Sequence, residues 1–145
     1  MNISKALKVK NRLVGKITKQ QEIVSKENSR RSDSTSKVDV SVEFQSLLNL
    51  KHELIDLKSR ISKASSPIFD KIIKMQEYKS LINYINGLNT RDGIEKVSYG
   101  QTTVIDYTWN AYINNEKKQV MIKGYEDEVN NLQDDIDNFN AVTSI

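Results

Sequence analysis

The chain has few of the residues that interrupt a helix or build a reactive site. Its 145 residues include no cysteine, one proline, five glycines and one histidine. The absence of cysteine excludes disulfides and thiolate metal sites, and one histidine is too few for a histidine-based metal centre. No apolar run approaches the roughly 18 residues that span a bilayer, and none of signal-peptide length follows the first methionine. We therefore expect a cytoplasmic protein with no membrane span.

What the chain does have is apolar residues at every third or fourth position, the pattern of an amphipathic helix. The length is that of one ordinary domain, so we predict a single helical domain over residues 1–145. The predicted helices lie near 3–28, 40–64, 67–86 and 115–140, with a serine-rich loop over 29–38. The candidate helix caps are Asn2 or Ser4, Asp39 or Ser41, and Asn114 or Asn115. Ser65-Ser66-Pro67 predicts a helix start, because proline at the first helical position sacrifices no hydrogen bond.

Two of the apolar stripes are the candidates for the core or for an oligomer interface. They comprise Leu47, Leu54, Leu57, Ile61, Val129, Leu132, Ile136 and Phe139. Phe44, Leu48 and Ile55 widen the stripe of the second helix, as expected for a helix that meets more than one neighbour. The predicted fold is mainly α, an antiparallel and coiled-coil-like bundle of about four long helices.

The segment near 95–111 differs from the rest and predicts one small β-hairpin before the last helix. It is rich in β-branched and aromatic residues, with Asp92-Gly93 and Gly100 as turn signals. A lone hairpin is marginal in water, so this one must pack on the helices or pair with another chain. The candidate aromatic patch is Tyr99, Tyr107, Trp109 and Tyr112. Packing of these rings against a helix is favoured, and exposure at a partner site is the alternative.

The charges are unevenly distributed although the net charge is only +3. Residues 1–31 hold nine basic and two acidic side chains, a net of +7, whereas residues 125–145 hold six acids and no Lys or Arg, a net of −6. The late acids need a cation from elsewhere, and the basic first helix is the expected source. Its candidate contact face for nucleic acid or another partner is Lys5, Lys8, Arg12, Lys16 and Lys19.

The sequence contains no recognisable catalytic, cofactor-binding or metal-binding constellation. His52 has no partner set by spacing, and Asp134, Asp135 and Asp137 point in different directions on a helix. Neither a Walker pattern nor a dinucleotide fingerprint is present. We therefore predict that the protein is not an enzyme and uses no cofactor.

Four stretches resemble a known group of proteins: residues 3–13, residues 54–64, residues 79–85, and residues 132–145 with their Asn-x-x-Thr-x-Ile ending. The chain resembles small bacterial and phage-associated helical proteins of unknown function, some of them named septicolysin-like. The resemblance implies an oligomeric helical hairpin bundle of phage or mobile-element origin. The name implies a toxin, but no catalytic residue carries over to this chain.

These observations favour a structural or interaction protein, a helical scaffold that self-associates. Long helices with few loops leave apolar surface exposed, which favours a homo-oligomer, with a dimer as the default. The alternative is a nucleic-acid-associated protein that uses the basic face of the first helix. The identity of any other protein partner does not follow from the residues.

Overall fold

The protein is mainly helical, with a small antiparallel sheet directly before the last helix, as predicted. The computed structural model describes residues 1–35, 38–100 and 102–145. In chain order its elements are α1 (Ile3–Glu27), α2 (Val40–Ser65), a 3-10 turn (Ser66–Ile68), α3 (Phe69–Asn86), β1 (Gly93–Tyr99), β2 (Thr103–Trp109) and α4 (Asn115–Val142). Ser36 and Lys37 of the predicted loop, and Gln101 of the predicted hairpin, lie outside the described residues.

The chain divides into two compact units. The first contains Met1–Phe69 and Asp137–Ile145, and the second contains Asp70–Ile136. The single domain over 1–145 stays a prediction, and each unit is described by itself below.

The junction of α2 and α3 is a turn of helix rather than a loop. Pro67 lies in the 3-10 turn, and Ser65 before it already has helical backbone angles. Proline has no N–H to donate to the residue four positions earlier, and the tighter turn accommodates that missing hydrogen bond. The proline signal was therefore correctly placed, but it marks a change of helical geometry and not an interruption.

Three of the predicted capping residues accept hydrogen bonds at helix starts. The Asn2 side chain accepts from Lys5 N at 2.9 Å, and the Asp39 side chain accepts from Ser41 N at 3.0 Å. Asn114 Oδ1 accepts from Lys117 N at 2.8 Å. Each bond satisfies a backbone N–H that has no partner inside its helix, so local sequence fixes where these helices begin.

The first unit is built on the pairing of α1 with α2. Their facing stripes form one core of buried residues: Ala6, Leu13, Ile17, Leu47, Leu54 and Leu57. Leu50, Ile61 and Val24 pack partly buried against it. Near the loop, the Gln20 side-chain amide donates to Glu43 O at 2.8 Å and also to the Glu43 carboxylate. Burial of one Leu or Ile side chain contributes about 1.5–3 kcal/mol, so this stripe holds the two helices together.

The two ends of the described chain meet in this unit, in a contact that we call the terminal clasp (Met1–Ile3 with Ala141–Ile145). Asn2 and Ser144 form an antiparallel bridge. Ile3 N donates to Thr143 O at 2.9 Å, and Ile145 N donates to Met1 O at 3.0 Å. The Asn2 amide donates to Ala141 O at 2.8 Å. The Asn-x-x-Thr-x-Ile ending is thus the segment that ties α4 to the start of α1.

Asn2 has two roles in this clasp, and we expect Asn2→Ala to lower the free energy of unfolding by about 2 kcal/mol. About 1 kcal/mol comes from the lost helix cap and a similar amount from the lost bond to Ala141. Chemical denaturation followed by circular dichroism measures the change. The control is Asn11→Ala, an exposed mid-helix position where alanine is the better helix former. Equal effects at the two positions would contradict the clasp.

Asp39 makes the start of α2 sensitive to acid. The hydrogen bonds from the Ser41 side chain and backbone hold the pKa of the Asp39 carboxyl below its ordinary value. A depressed carboxyl pKa stabilises the fold above the unfolded pKa, and that stabilisation is lost as pH falls through the folded pKa. We expect denaturation curves from about pH 5 downward to show this loss, and Asp39→Asn, which keeps the cap without the charge, to show less of it. Identical pH profiles would refute the assignment.

The second unit pairs α3 with α4 in antiparallel orientation. Lys71 Nζ contacts Asp135 Oδ2 at 2.7 Å, the rings of Tyr78 and Tyr125 meet edge to face at 5.2 Å, and Lys118 Nζ donates to Asn86 O at 2.8 Å. Positions early in α3 therefore lie beside positions late in α4. The buried residues of this unit include Ile85, Ile122, Leu132 and Ile136.

One of these contacts corrects a charge expectation. The acids near the end of α4 were expected to take their cation from the basic first helix. Asp135 instead pairs with Lys71 of α3, which lies in the same unit.

Candidate interaction surfaces

The β-hairpin has two chemically different faces, which follow from its register. Antiparallel pairing aligns Glu95 with Tyr107, Val97 with Ile105 and Gly93 with Trp109. Directly paired residues project to the same side, and the side alternates along a strand. We define the aromatic face as the side that carries Glu95, Val97, Tyr99, Ile105, Tyr107 and Trp109. The opposite side carries Ile94, Lys96 and Ser98 of β1, with Val104, Asp106 and Thr108 of β2.

Polar contacts fix the side chains at both ends of the aromatic face. At the open end, Trp109 Nε1 donates to Glu95 Oε2 at 2.6 Å, and the Arg91 guanidinium lies 5.0 Å from the centre of the Trp109 ring. Arg91 also pairs with Glu95 at 3.6 Å. Near the turn, the hydroxyls of Tyr99 and Tyr107 lie 3.3 Å apart. The face is therefore preorganised, because its rings are already held in one arrangement.

The surroundings of Tyr107 affect its ionisation. The hydrogen bond with Tyr99 raises the pKa of the Tyr107 phenol, and partial burial and the Glu95 charge act in the same direction. The raised pKa extends the pH range in which Tyr107 is a neutral phenol, and a neutral phenol suits an apolar contact surface better than a phenolate would.

The aromatic face is exposed in part. Tyr99, Ile105 and Tyr107 are exposed on it, whereas Glu95, Val97 and Trp109 are half-buried. Tyr99 is 54% exposed and Tyr107 43% exposed. Both tyrosines are therefore accessible at the surface, and their use at a partner site stays a prediction.

Tyr112 does not belong to the aromatic face. It lies beyond β2, is exposed, and has the Lys117 ammonium 3.9 Å from its ring centre. The predicted patch is therefore three residues of the hairpin and one separate tyrosine. Arg91 and Glu95 were not among the predicted residues, although the spacing of two from Glu95 through Val97 to Tyr99 indicates a shared face.

The predicted core stripes are largely buried. Leu47, Leu54, Leu57, Leu132 and Ile136 are buried, and Ile61, Val129 and Phe139 are half-buried. A second apolar surface lies on α2 outside this core, and we call Phe44, Leu48 and Ile55 the α2 ridge. These three residues share one side of α2 and are exposed, so their expected second neighbour is not supplied by the described residues.

The five predicted basic residues lie on one side of α1, and we call them the basic row. Lys5, Lys8, Arg12, Lys16 and Lys19 follow one another at intervals of three and four residues, and all are exposed. Among residues 1–35, 38–100 and 102–145, none of the five forms an ion pair. Three of them, with Met1 and Val9, line an open depression of about 370 Å³.

Comparison with protein-family models, with curated proteins and with solved structures gives no match. The resemblance to septicolysin-like proteins therefore stays a prediction. Within the described part of the chain, no three His, Cys, Asp or Glu side chains come together as a metal site would need. None of the helices described combines the length and the apolar character that crossing a bilayer requires.

Proposed function

We propose that the protein is a non-enzymatic scaffold that self-associates through the aromatic face of its hairpin. The observation that carries this proposal is the exposure of a preorganised apolar sheet face on a two-stranded hairpin. Two strands alone are marginally stable in water, and a third or fourth strand or a packed layer supplies the missing stability. A two-stranded hairpin with exposed aromatic rings therefore favours a partner that covers it.

The chemistry of the strands favours a second copy of this chain as that partner. The charges of the hairpin balance locally, because Lys96 lies directly opposite Asp106 and Arg91 pairs with Glu95. Two copies would meet without net repulsion. An antiparallel hairpin is also self-complementary about a two-fold axis, the commonest symmetry of soluble oligomers.

The unpaired edge of β2 also supports association with a second copy. Six of its seven residues are β-branched or aromatic, and its single charge is Asp106. Natural edge strands are usually protected by lysine, proline or a bulge, since unpaired edges attract other strands. An edge with so little protection is typical of a strand that lies close to another chain in its assembly.

The arrangement of the helices is part of the same proposal. We propose that the antiparallel pairs α1–α2 and α3–α4 act together as a coiled-coil-like bundle of four helices. The α2 ridge supports further association, because an exposed apolar row on a helix is typical of helix-to-helix contacts. The dimer is the assembly that we propose.

Light scattering across a dilution series tests the proposal. The chain has a mass of 16.6 kDa, so a dimer has twice that mass, and dilution should return the monomer. A mass of 16.6 kDa at every concentration up to the solubility limit would overturn self-association. An assembly that is unaffected by changes on the aromatic face would overturn the assignment of the surface.

A further inference from the structure

We propose that the basic row on α1 binds the phosphate backbone of double-stranded nucleic acid. This role is independent of self-association, because the row lies on α1 in the first unit and the hairpin lies in the second. The partner is defined by its chemistry, a regular line of phosphates read without regard to base sequence.

The part of α1 that carries the basic row contains no acidic side chain. The sequence holds no acidic residue before Glu22, while all five members of the basic row precede it. Cations on helix surfaces are ordinarily interleaved with acids at positions three or four away, which screens them. This row has no such acid between Lys5 and Lys19, and within the described residues none of its members forms an ion pair.

The spacing of the five cations along α1 also suits a duplex. At 1.5 Å per residue, the fourteen steps from Lys5 to Lys19 place five charges along about 21 Å of helix. Phosphates of one strand advance about 3.4 Å along the axis for each step, so about six of them lie within the same length of duplex. The depression lined by Lys5, Lys8 and Arg12 brings three cations around one hollow, where a phosphate would be contacted from several sides.

The remaining side chains of α1 favour a duplex over the other polyanions. The row lacks the interleaved aromatic side chains on which single-stranded bases stack, and α1 contains no aromatic residue at all. A membrane-bound helix inserts its apolar side into the lipid, but Ala6, Leu13 and Ile17 of α1 are buried in the core with α2. Backbone contact with a duplex needs neither feature.

The test is fluorescence anisotropy of a labelled random-sequence duplex titrated with the full chain at a series of salt concentrations. Five phosphate contacts predict that affinity falls about 500-fold between about 50 and 200 mM salt. The variant Lys8→Gln with Arg12→Gln leaves three contacts, for which the fall is about 40-fold. The control, Lys58→Gln with Lys63→Gln, removes the same charge from exposed positions of α2 and should leave the slope of the intact protein.

Each remaining outcome opposes the proposal. No binding to duplex at about 50 mM salt would overturn it. An equal loss of slope in the α2 control would reduce the effect to net charge and would overturn the assignment to the basic row. Binding to vesicles of phosphatidylserine and phosphatidylcholine in the absence of duplex binding would replace nucleic acid by a membrane surface. Circular dichroism confirms that the glutamine variants retain their helices.

Discussion

Leu54→Ala is expected to lower the free energy of unfolding by about 3 kcal/mol, because it opens a cavity in the core between α1 and α2. Leu54 is 8% exposed and belongs to the cluster that also contains Leu13, Ile17 and Leu57. A pair of helices has few layers of packed side chains, so the loss of one is not offset by many others. Most small domains are stable by only about 5–15 kcal/mol, which makes this a large fraction of the total.

The adjacent residue supplies the matched control. Ile55 is 63% exposed, and Ile55→Ala removes a side chain of the same size from the same helix turn. We expect its effect on the free energy of unfolding to stay within about 0.5 kcal/mol at dilutions where the protein is monomeric. Urea denaturation of both variants measures the difference. Equal losses from the two substitutions would show that the α1–α2 core is placed on the wrong side of α2.

Ile105→Asp is expected to weaken self-association at least about 100-fold, equivalent to about 2.7 kcal/mol of binding free energy. Ile105 lies opposite Val97 on the aromatic face, where a second copy would enclose the new carboxylate without a partner for its charge. In the monomer the same side chain is 40% exposed and lies opposite the half-buried Val97, so the cost to the isolated fold includes lost packing as well as strand propensity. Sedimentation across a dilution series gives the dissociation constants.

The neighbouring residue again serves as the control. Val104 is exposed on the opposite side of the same strand, so Val104→Asp introduces the same charge one position away. We expect it to leave the dissociation constant within about threefold of the unsubstituted chain, a free-energy change of under about 1 kcal/mol. Trp109 is the single tryptophan, and its fluorescence reports whether the hairpin is intact in both variants. Loss of assembly in both, or in neither, would exclude the aromatic face as the interface.

Much of the fold could be predicted because its causes are local. Asn2, Asp39 and Asn114 can cap helices through their own short side chains, so the helix starts could be predicted from single residues. The stripe through Leu54 and Leu57 repeats every three or four positions, which fixes the buried side of α2. The β-branched and aromatic run of β2 is equally local. These features need no knowledge of the rest of the chain.

The remainder depends on contacts between distant residues, which periodicity does not specify. The terminal clasp joins Asn2 to Ala141, and no pattern in either segment predicts a contact with the other. The width of the α2 stripe predicts a second packing partner for Phe44 and Ile55, but it does not identify that partner. The same limit applies to the aromatic face, since alternation along β1 and β2 predicts two different sides without predicting what covers them.

For Asp135 the expected cation was wrong for a related reason. The opposite net charges at the ends of the chain suggested that the basic helix neutralises the acidic one. Lys71 lies 2.7 Å from Asp135 because α3 and α4 are antiparallel neighbours. Charge totals describe the average field of a segment, whereas an ion pair is decided by which helix lies alongside.

Hydrogen exchange of the backbone amides in β1 and β2, measured at low and at high protein concentration, tests the central claim most directly. If a second copy covers the aromatic face, exchange in both strands slows as the concentration rises, while exchange in the α1–α2 core stays unchanged. Rates in the two strands that are the same at both concentrations, with the hairpin formed, would mean that the face stays open to water. The self-associating scaffold would then have to be abandoned.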